Sequence, residues 1–220
     1  MPVVTRPSRR FPTAWRALPL ALLCLAPLAA TARVSGRVAL LSDYVWRGIS
    51  ESGGNPALQA AVTAQGPIGL YARAFVSTLD YQGAFIRADF SGGIRNTTPS
   101  GLGFNVGATA YRFDRSTLNF EETFIRLRFG PLSAGVFRDW QHGNTYFEAG
   151  YRAGLGSGID LVLHAGHTSG TTIPSYSDFG LGVEKSWHAY AAGLFVTTID
   201  RHAFSGLTDT RVAFVISRSW

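Results

Sequence analysis

Apolar residues alternate with polar or small ones at a period of two along most of the chain, and the alternation restarts after each cluster of turn residues. In the first run Val38, Leu40, Tyr44 and Trp46 share one face, opposite Arg37, Asp43 and Arg47 with Ala39, Leu41 and Val45. Leu70, Ala72, Ala74 and Val76 then oppose Tyr71, Arg73, Phe75 and Ser77, and Ile86, Ala88 and Phe90 oppose Arg87 and Asp89. Thr123, Ile125, Leu127 and Phe129 oppose Glu122, Phe124, Arg126 and Arg128. Similar runs set Phe147, Ala149 and Tyr151 against Glu148, Gly150 and Arg152, and Ile159, Leu161 and Leu163 against Asp160 and His164. Phe179, Leu181 and Val183 oppose Asp178 and Glu184, and the last run sets Val212, Phe214 and Ile216 against Arg211, Ala213 and Ser217. With the intervening runs the pattern predicts twelve strands, separated by turn signals such as "GPIG" at 66–69 and "GLGSG" at 154–158. About 16 residues per strand and connection suffice for a tilted, membrane-crossing strand of about 9 to 11 residues and a short turn. Only the connection at 94–101, "IRNTTPSG", predicts a long turn on the side of the termini.

Alternation alone does not say which face is dry, because a soluble up-and-down barrel of the lipocalin type also alternates, apolar side inward. Three features favour the inverted arrangement. The polar face mixes Arg, Asp and Glu with Gly, Ser and Ala at mid-strand, as a crowded lumen requires. Aromatics gather near strand ends, at Tyr44, Trp46, Phe129, Trp140, Trp187, Tyr190 and Trp220, where interfacial girdles sit in membrane barrels. The chain also closes on "RVAFVISRSW", an amphipathic strand with a terminal aromatic. The predicted class is all-β, a closed antiparallel up-and-down transmembrane β-barrel of about 12 strands after a cleaved signal peptide. Strands can cross lipid only when every backbone group is paired in a closed sheet.

Composition adds an address. Arg6, Arg9, Arg10 and Arg16 precede an apolar stretch, Leu18 to Leu28, and then Ala30-Thr31-Ala32, which predicts a signal peptide over 1–32 and a barrel over 33–220. Pro19 and Pro27 interrupt a stretch too short for a spanning helix of about 20 residues. The single cysteine, Cys24, lies in the segment expected to be removed, which leaves no disulfide and no thiolate metal site. Losing four arginines reduces the 20 basic residues to 16 against 14 acidic ones, so the basic character belongs mostly to the leader and does not point to nucleic acid. Charged residues make up 15% of the chain, where soluble domains average about a quarter.

"SDYVWRGIS" near the start of the expected mature chain, "NPALQAAV" at 55–62, "GLYARAFVS" at 69–77 and the ending "DTRVAFVISRSW" resemble the TorF-like family of proteobacterial porins. Trp46 stands where those proteins often carry Phe, and Arg218 interrupts the apolar face of the closing strand. The resemblance implies an outer-membrane barrel of about this size in a Gram-negative bacterium, with no established substrate, no catalytic motif and no cofactor.

The candidate pore-lining residues are Arg37, Asp43, Arg47, Arg73, Arg87, Asp89, Glu122, Arg126, Arg128, Glu148, Arg152, Asp160, Asp178, Glu184 and Arg211, with Asp139 beside them. Arg126 and Arg128, two steps apart on one face, are the preferred selectivity candidates, since rings of charge set selectivity in pores. Arg47 and Gly48 could equally open a loop at 48–55. The expected function is passive diffusion of small solutes or ions through a narrow charged lumen. Expected partners are outer-membrane lipid and, through the strand ending at Trp220, the barrel assembly machinery. The alternatives are a non-conducting scaffold barrel and a barrel enzyme built on loop residues Asp139, His142, Ser169, Asp200 and His202. The spacing of His164 and His167 places their rings on opposite faces, which argues against metal chelation.

Overall fold

The period-two runs form strands, most of them ending where glycine or a small polar residue lets the chain reverse. A computed structural model describes residues 32–200 and 210–220. In chain order the elements are β1 (Arg33–Leu41), β2 (Val45–Trp46), β3 (Ile49–Ser50), β4 (Ala57–Gln65), β5 (Leu70–Tyr81) and β6 (Ala84–Thr97). They continue with β7 (Leu102–Phe113), a single 3-10 turn (Ser116–Leu118), β8 (Phe120–Phe129), β9 (Leu132–Asp139) and β10 (Asn144–Gly156). The last four are β11 (Ile159–Ser169), β12 (Tyr176–Trp187), β13 (Tyr190–Ile199) and β14 (Arg211–Ser219). Twelve of these strands, all but β2 and β3, close antiparallel with sequence neighbours side by side and β14 returning to β1. This is the up-and-down barrel that the alternation predicts. The expected signal peptide at 1–32, apart from Ala32, and residues 201–209 with His202, expected as a loop, lie outside the described residues.

The barrel is inverted relative to a soluble protein. Leu58, Phe90, Ile125, Phe147, Leu181 and Phe214 lie exposed on the outside, whereas Arg87, Asp178 and Glu122 are buried on the inside. Directly opposite residues on antiparallel neighbours share a face, so the register carries this division around the wall. No helix among the described residues is long and apolar enough to cross a membrane.

The interior is narrow enough that glycine becomes a structural requirement at some positions. A Cβ on Gly107 would run into the backbone carbonyl of Gly92 and stand 3.0 Å from Phe124 Cζ and 3.1 Å from Gly93 Cα. Backbone on two sides cannot move aside cheaply. Gly107→Val is therefore expected to prevent closure, so that refolding gives no band of altered mobility on an unboiled gel. Ala108→Val, on the outward face next to it, should refold normally.

At the seam β1 and β14 share only the pairs from Arg37–Ser219 to Leu41–Val215. The chain end extends this seam. Gly36 and Trp220 exchange backbone hydrogen bonds of 3.0 and 3.1 Å, and the Trp220 ring lies across Gly36 on the outer face. An aromatic covering a strand glycine shields backbone that would otherwise be bare. Arg218 lies 5.8 Å from the ring centre of its cross-strand partner Tyr190, a cation–π contact near the end of the strand.

Two boundaries differ from the sequence reading. The connection expected at 94–101 shrinks to 98–101, because Ile94 and Asn96 continue the outward face of β6 while Arg95 and Thr97 continue the inward face, opposite Asn105 and Gly103. The first strand also ends at Leu41 rather than running on to Trp46. The residues that follow leave the wall.

Candidate functional site

Residues 42–56 connect β1 to β4, and instead of extending the wall they fold into the lumen. Ser42 holds the departure point, donating from its backbone to Phe214 O while its Oγ accepts from Phe214 N, both at 2.9 Å. The segment doubles back as a small hairpin, β2 against β3, with Trp46 paired to Ile49. Its tip is Arg47-Gly48, both at positive φ (51° and 78°), which is the geometry of a type I′ turn. Gly48 is needed there twice over, since a Cβ would collide with the Ile199 side chain and stand 2.7 Å from Asp178 Cβ. Two serines and an aspartate tie the base: Ser50 Oγ and Ser52 Oγ donate to Asp43 Oδ1 at 2.6 and 3.0 Å, and Tyr44 N donates to Ser52 Oγ at 2.9 Å.

Charge pairs dock the hairpin to distant wall strands. Arg47 reaches Glu122 on β8 with two bonds, 2.7 and 2.8 Å, while Tyr111 OH donates to the same carboxylate at 2.9 Å. Its guanidinium lies 4.3 Å from the Trp46 ring centre and 4.1 Å from that of Tyr146. Arg87 on β6 binds Asp89 by two bonds of 2.8 and 2.9 Å and Glu51 of the loop at 2.7 and 2.5 Å. Arg211 stands 3.5 Å from Asp43. Arg87 is 1% exposed and Glu122 4%, while Arg47 and Arg211 keep a small exposed fraction. Buried charges are tolerated only when paired and hydrogen-bonded in this way, so the layer is a lock between loop and wall.

The hairpin divides the lumen. On the side away from the termini a cavity of about 270 Å³ is bounded by Ile49, Glu51, Tyr81, His142 and Tyr176. On the side of the termini lie larger spaces of about 400 and 460 Å³, the first reaching Arg73, Arg95 and Asn105 and the second Arg126, Arg128 and Arg152. A further space of about 300 Å³ touches Arg47, Gly48 and His164 just under the tip. Trp46 and Arg47 border both the outer cavity and the one beneath it.

Beyond the hairpin the wall is charged and wet. Arg37, Arg73, Arg126 and Arg128 point inward and are nevertheless exposed, so that part of the lumen is open to water. Arg126 pairs with Glu148 at 2.8 Å, and Arg152 bridges Asp160 and Glu184 at 2.9 Å each. Arg128 reaches only the Gly130 carbonyl, at 3.4 Å. His164 meets Asp178 at 2.8 Å and Tyr146 OH at 2.9 Å. His167, on the opposite face, meets Ser177 Oγ at 3.1 Å.

The fifteen charged candidates thus separate into two sets. Asp43, Arg47, Arg87, Asp89, Glu122, Asp178 and Arg211 belong to the dry layer around the hairpin. Arg37, Arg73, Arg126, Arg128, Glu148, Arg152, Asp160 and Glu184 line the wetter part. Asp139 does neither, because it accepts from the backbone of Gln141 and His142 at 3.0 Å and from the His142 ring at 2.8 Å, capping a loop turn. Tyr44 and Trp46 require correction: Tyr44 is 8% exposed with its ring 6.4 Å from Phe75, and Trp46 packs against Tyr111 and Phe120, so both lie inside the barrel and neither faces lipid. Phe129, Trp140, Trp187, Tyr190 and Trp220 do lie exposed on the outer surface. Sequence reasoning missed Glu51, Tyr146 and Arg95. The first two sit outside any clear charge alternation, and Arg95 fell within the turn expected at 94–101. Of the loop residues weighed for catalysis, Asp139 and His142 come together, in the turn cap just described, and His202 lies outside the described residues. Among the described residues no cluster of His, Cys, Asp and Glu could hold a metal ion.

A closed barrel with an apolar exterior and a narrow charged lumen partly filled by its first loop defines a porin-like barrel. The chain belongs to the bacterial family described as "Bacterial protein of unknown function (Gcw_chp)", whose model matches residues 26–220. That description does not name TorF-like proteins. Solved structures of the same fold include the KdgM porin, at 8% identity and a TM-score of 0.60, covering 85% of this chain and 97% of that one. The NanC porin aligns at 9% identity with a TM-score of 0.59, covering 86% of this chain and 99% of that one. A second KdgM structure, titled as a complex with disordered oligogalacturonate, aligns at 8% identity with a TM-score of 0.58, covering 85% of this chain and 97% of that one. At such identity the likeness concerns the fold. No curated protein matches the chain.

Proposed function

We propose that this protein is a narrow porin of the Gram-negative outer membrane, through which small solutes or ions diffuse passively. The observation that carries the reading is the set of inward-pointing yet exposed arginines, Arg37, Arg73, Arg126 and Arg128. A lumen meant only to be filled would pair and bury them, as the hairpin layer does with Arg87. Twelve strands also lie between the roughly eight whose interior side chains fill and the sixteen or more that leave a broad channel. The likeness to the KdgM and NanC porins and the resemblance of residues 42–50 and 209–220 to TorF-like porins agree with this reading. Residues 1–32 act as the cleaved export signal, the exposed apolar belt meets outer-membrane lipid, and the strand ending at Trp220 is the handle for the barrel assembly machinery.

The buried hairpin layer favours a second reading, a non-conducting barrel with a scaffold role. Planar bilayers separate the two. Protein refolded in detergent, with mobility that changes on boiling, is expected to give small, discrete conductance steps. A folded barrel that never conducts would support the scaffold.

A further inference from the structure

Charge inside the barrel is distributed unevenly in a way that neither the pairing in the hairpin layer nor the simple porin reading explains. Around the wetter part of the lumen, β10 to β12 supply carboxylates that are answered: Glu148 by Arg126, and Asp160 and Glu184 by Arg152. The wall formed by β4 to β8 is different. Among the described residues, Arg73, Arg95 and Arg128 form no ion pair with any carboxylate; Arg95 Nε donates to the neutral Gln65 Oε1 at 2.7 Å, and Arg128 only to a carbonyl. Arg73 lies in the field of the Asp89 carboxylate, itself bonded to Arg87, and of two like charges, Arg126 and Arg37.

One row on this wall is arranged for contact. Arg95 on β6 is directly opposite Asn105 on β7, which is directly opposite Arg126 on β8. Neighbouring strands lie about 4.8 Å apart, so the two arginine backbones flank Asn105 at about 10 Å from each other. Asn105 is preceded and followed on the same face by Gly103 and Gly107, which add no side chains to the row. Its Oδ1 is buried without a hydrogen-bond partner. Turning that amide over points an NH2 group in the same direction, since oxygen and nitrogen of a carboxamide exchange places by a half-turn. The row then presents donors from three consecutive strands, and the ligand that satisfies donors flanked by cations is an oxyanion.

We propose that this wall is a binding subsite for small organic solutes carrying carboxylate or phosphate groups, seated on Arg73, Arg95, Asn105 and Arg126 with Arg128 at the mouth. The proposal deepens the porin reading and rests on it. Several cations lining one side of a narrow lumen repel one another, and a mobile anion relieves that repulsion at each step along the wall. Because Arg73, Arg126 and Arg128 are exposed to water and Arg95 is only half-buried, binding stays weak enough for release, as conduction requires.

The test uses the full mature barrel refolded in detergent, and the triple variant R73Q/R95Q/R128Q, which keeps hydrogen-bond donors and removes three charges. Under a KCl gradient in planar bilayers, the unmodified barrel should pass chloride several-fold better than potassium, and citrate should block the current. Pyrophosphate in place of citrate tells whether carboxylate or phosphate is preferred. In the triple variant, still heat-modifiable on gels, the ion preference should fall towards unity and the block should weaken at least tenfold. A conducting barrel that prefers potassium, or a citrate block unchanged in the triple variant, overturns the subsite and leaves the porin reading standing. If no current is seen the porin reading fails, and calorimetric titration of citrate into the folded barrel decides the subsite separately. Heat that disappears in the triple variant keeps it, and no heat from either anion in the unmodified barrel overturns it.

Discussion

Replacing residues 43–56 by Asn-Gly should raise the single-channel conductance several-fold while leaving the barrel folded. The wall does not need this segment: the pairing of β1 with β4 ends at Leu41–Ala57, and Ser42, retained, keeps its two bonds to Phe214. The new connection, Ser-Asn-Gly, has the length and the glycine position of a common three-residue hairpin loop. What disappears is the inward hairpin, with Trp46 and Arg47 between the outer cavity and the space of about 300 Å³ beneath it. Sections of a pore act as resistances in series, so the narrowest section sets the current. The excision takes Arg47 from Glu122 and Glu51 from Arg87, while Arg87 keeps its two bonds to Asp89, and the groups so exposed then face water. Single-channel recording of the shortened protein is the direct check, and an unchanged conductance would show that the hairpin does not obstruct the path.

Arg87→Met should release the same hairpin without shortening the chain. Among the described residues Arg87 is the cation seen bonded to both Glu51 and Asp89, and its removal leaves two buried carboxylates facing each other. Breaking a buried pair by deleting one partner costs about 3 to 5 kcal/mol. At about 1.4 kcal/mol per tenfold change, that shifts the docked–undocked equilibrium of the loop by about a hundredfold or more. Hydrogen exchange should report it as faster exchange at the hairpin amides, Tyr44 N and Glu51 N included, with little change in the strands of the wall. Bilayer currents should become larger and noisier. Because the lock is buried, raising the salt concentration on the unmodified protein should do far less than the substitution. Adding Glu51→Gln to Arg87→Met should restore part of the protection, since a neutral amide can be buried without a counter-charge. Equal exchange in Arg87→Met and the unmodified protein would mean that some other contact holds the loop.

The division of charge into a locked layer and a wet wall was hidden in the sequence for an identifiable reason. Arg87 and Arg73 occupy equivalent positions in their alternating strands, yet Arg87 meets Glu51 from a loop 36 residues away while Arg73 meets water. Arg126 and Arg128 likewise share a face and a spacing of two, and only the fold gives Glu148 to the first and no carboxylate to the second. Ion pairing in a barrel depends on register with strands that sequence spacing does not relate.

The amino-acid order by itself determined the barrel: the period of two set which side chains face out, the turn residues set twelve strands, and the even count brought Trp220 back beside β1. Each of those is a local property, read within a few residues because a strand's side chains alternate wherever it lies. The inward fold of 42–56 was decided only in three dimensions. Asp43, Tyr44, Val45, Trp46 and Arg47 continue the same alternation as β1, so nothing in the period separates them from it. The Arg47-Gly48 turn and the serines at 42, 50 and 52 were the available signals. Direction came from Glu122, Arg87 and Asp178, far along the chain, whose buried charge and close packing give the hairpin a place to dock.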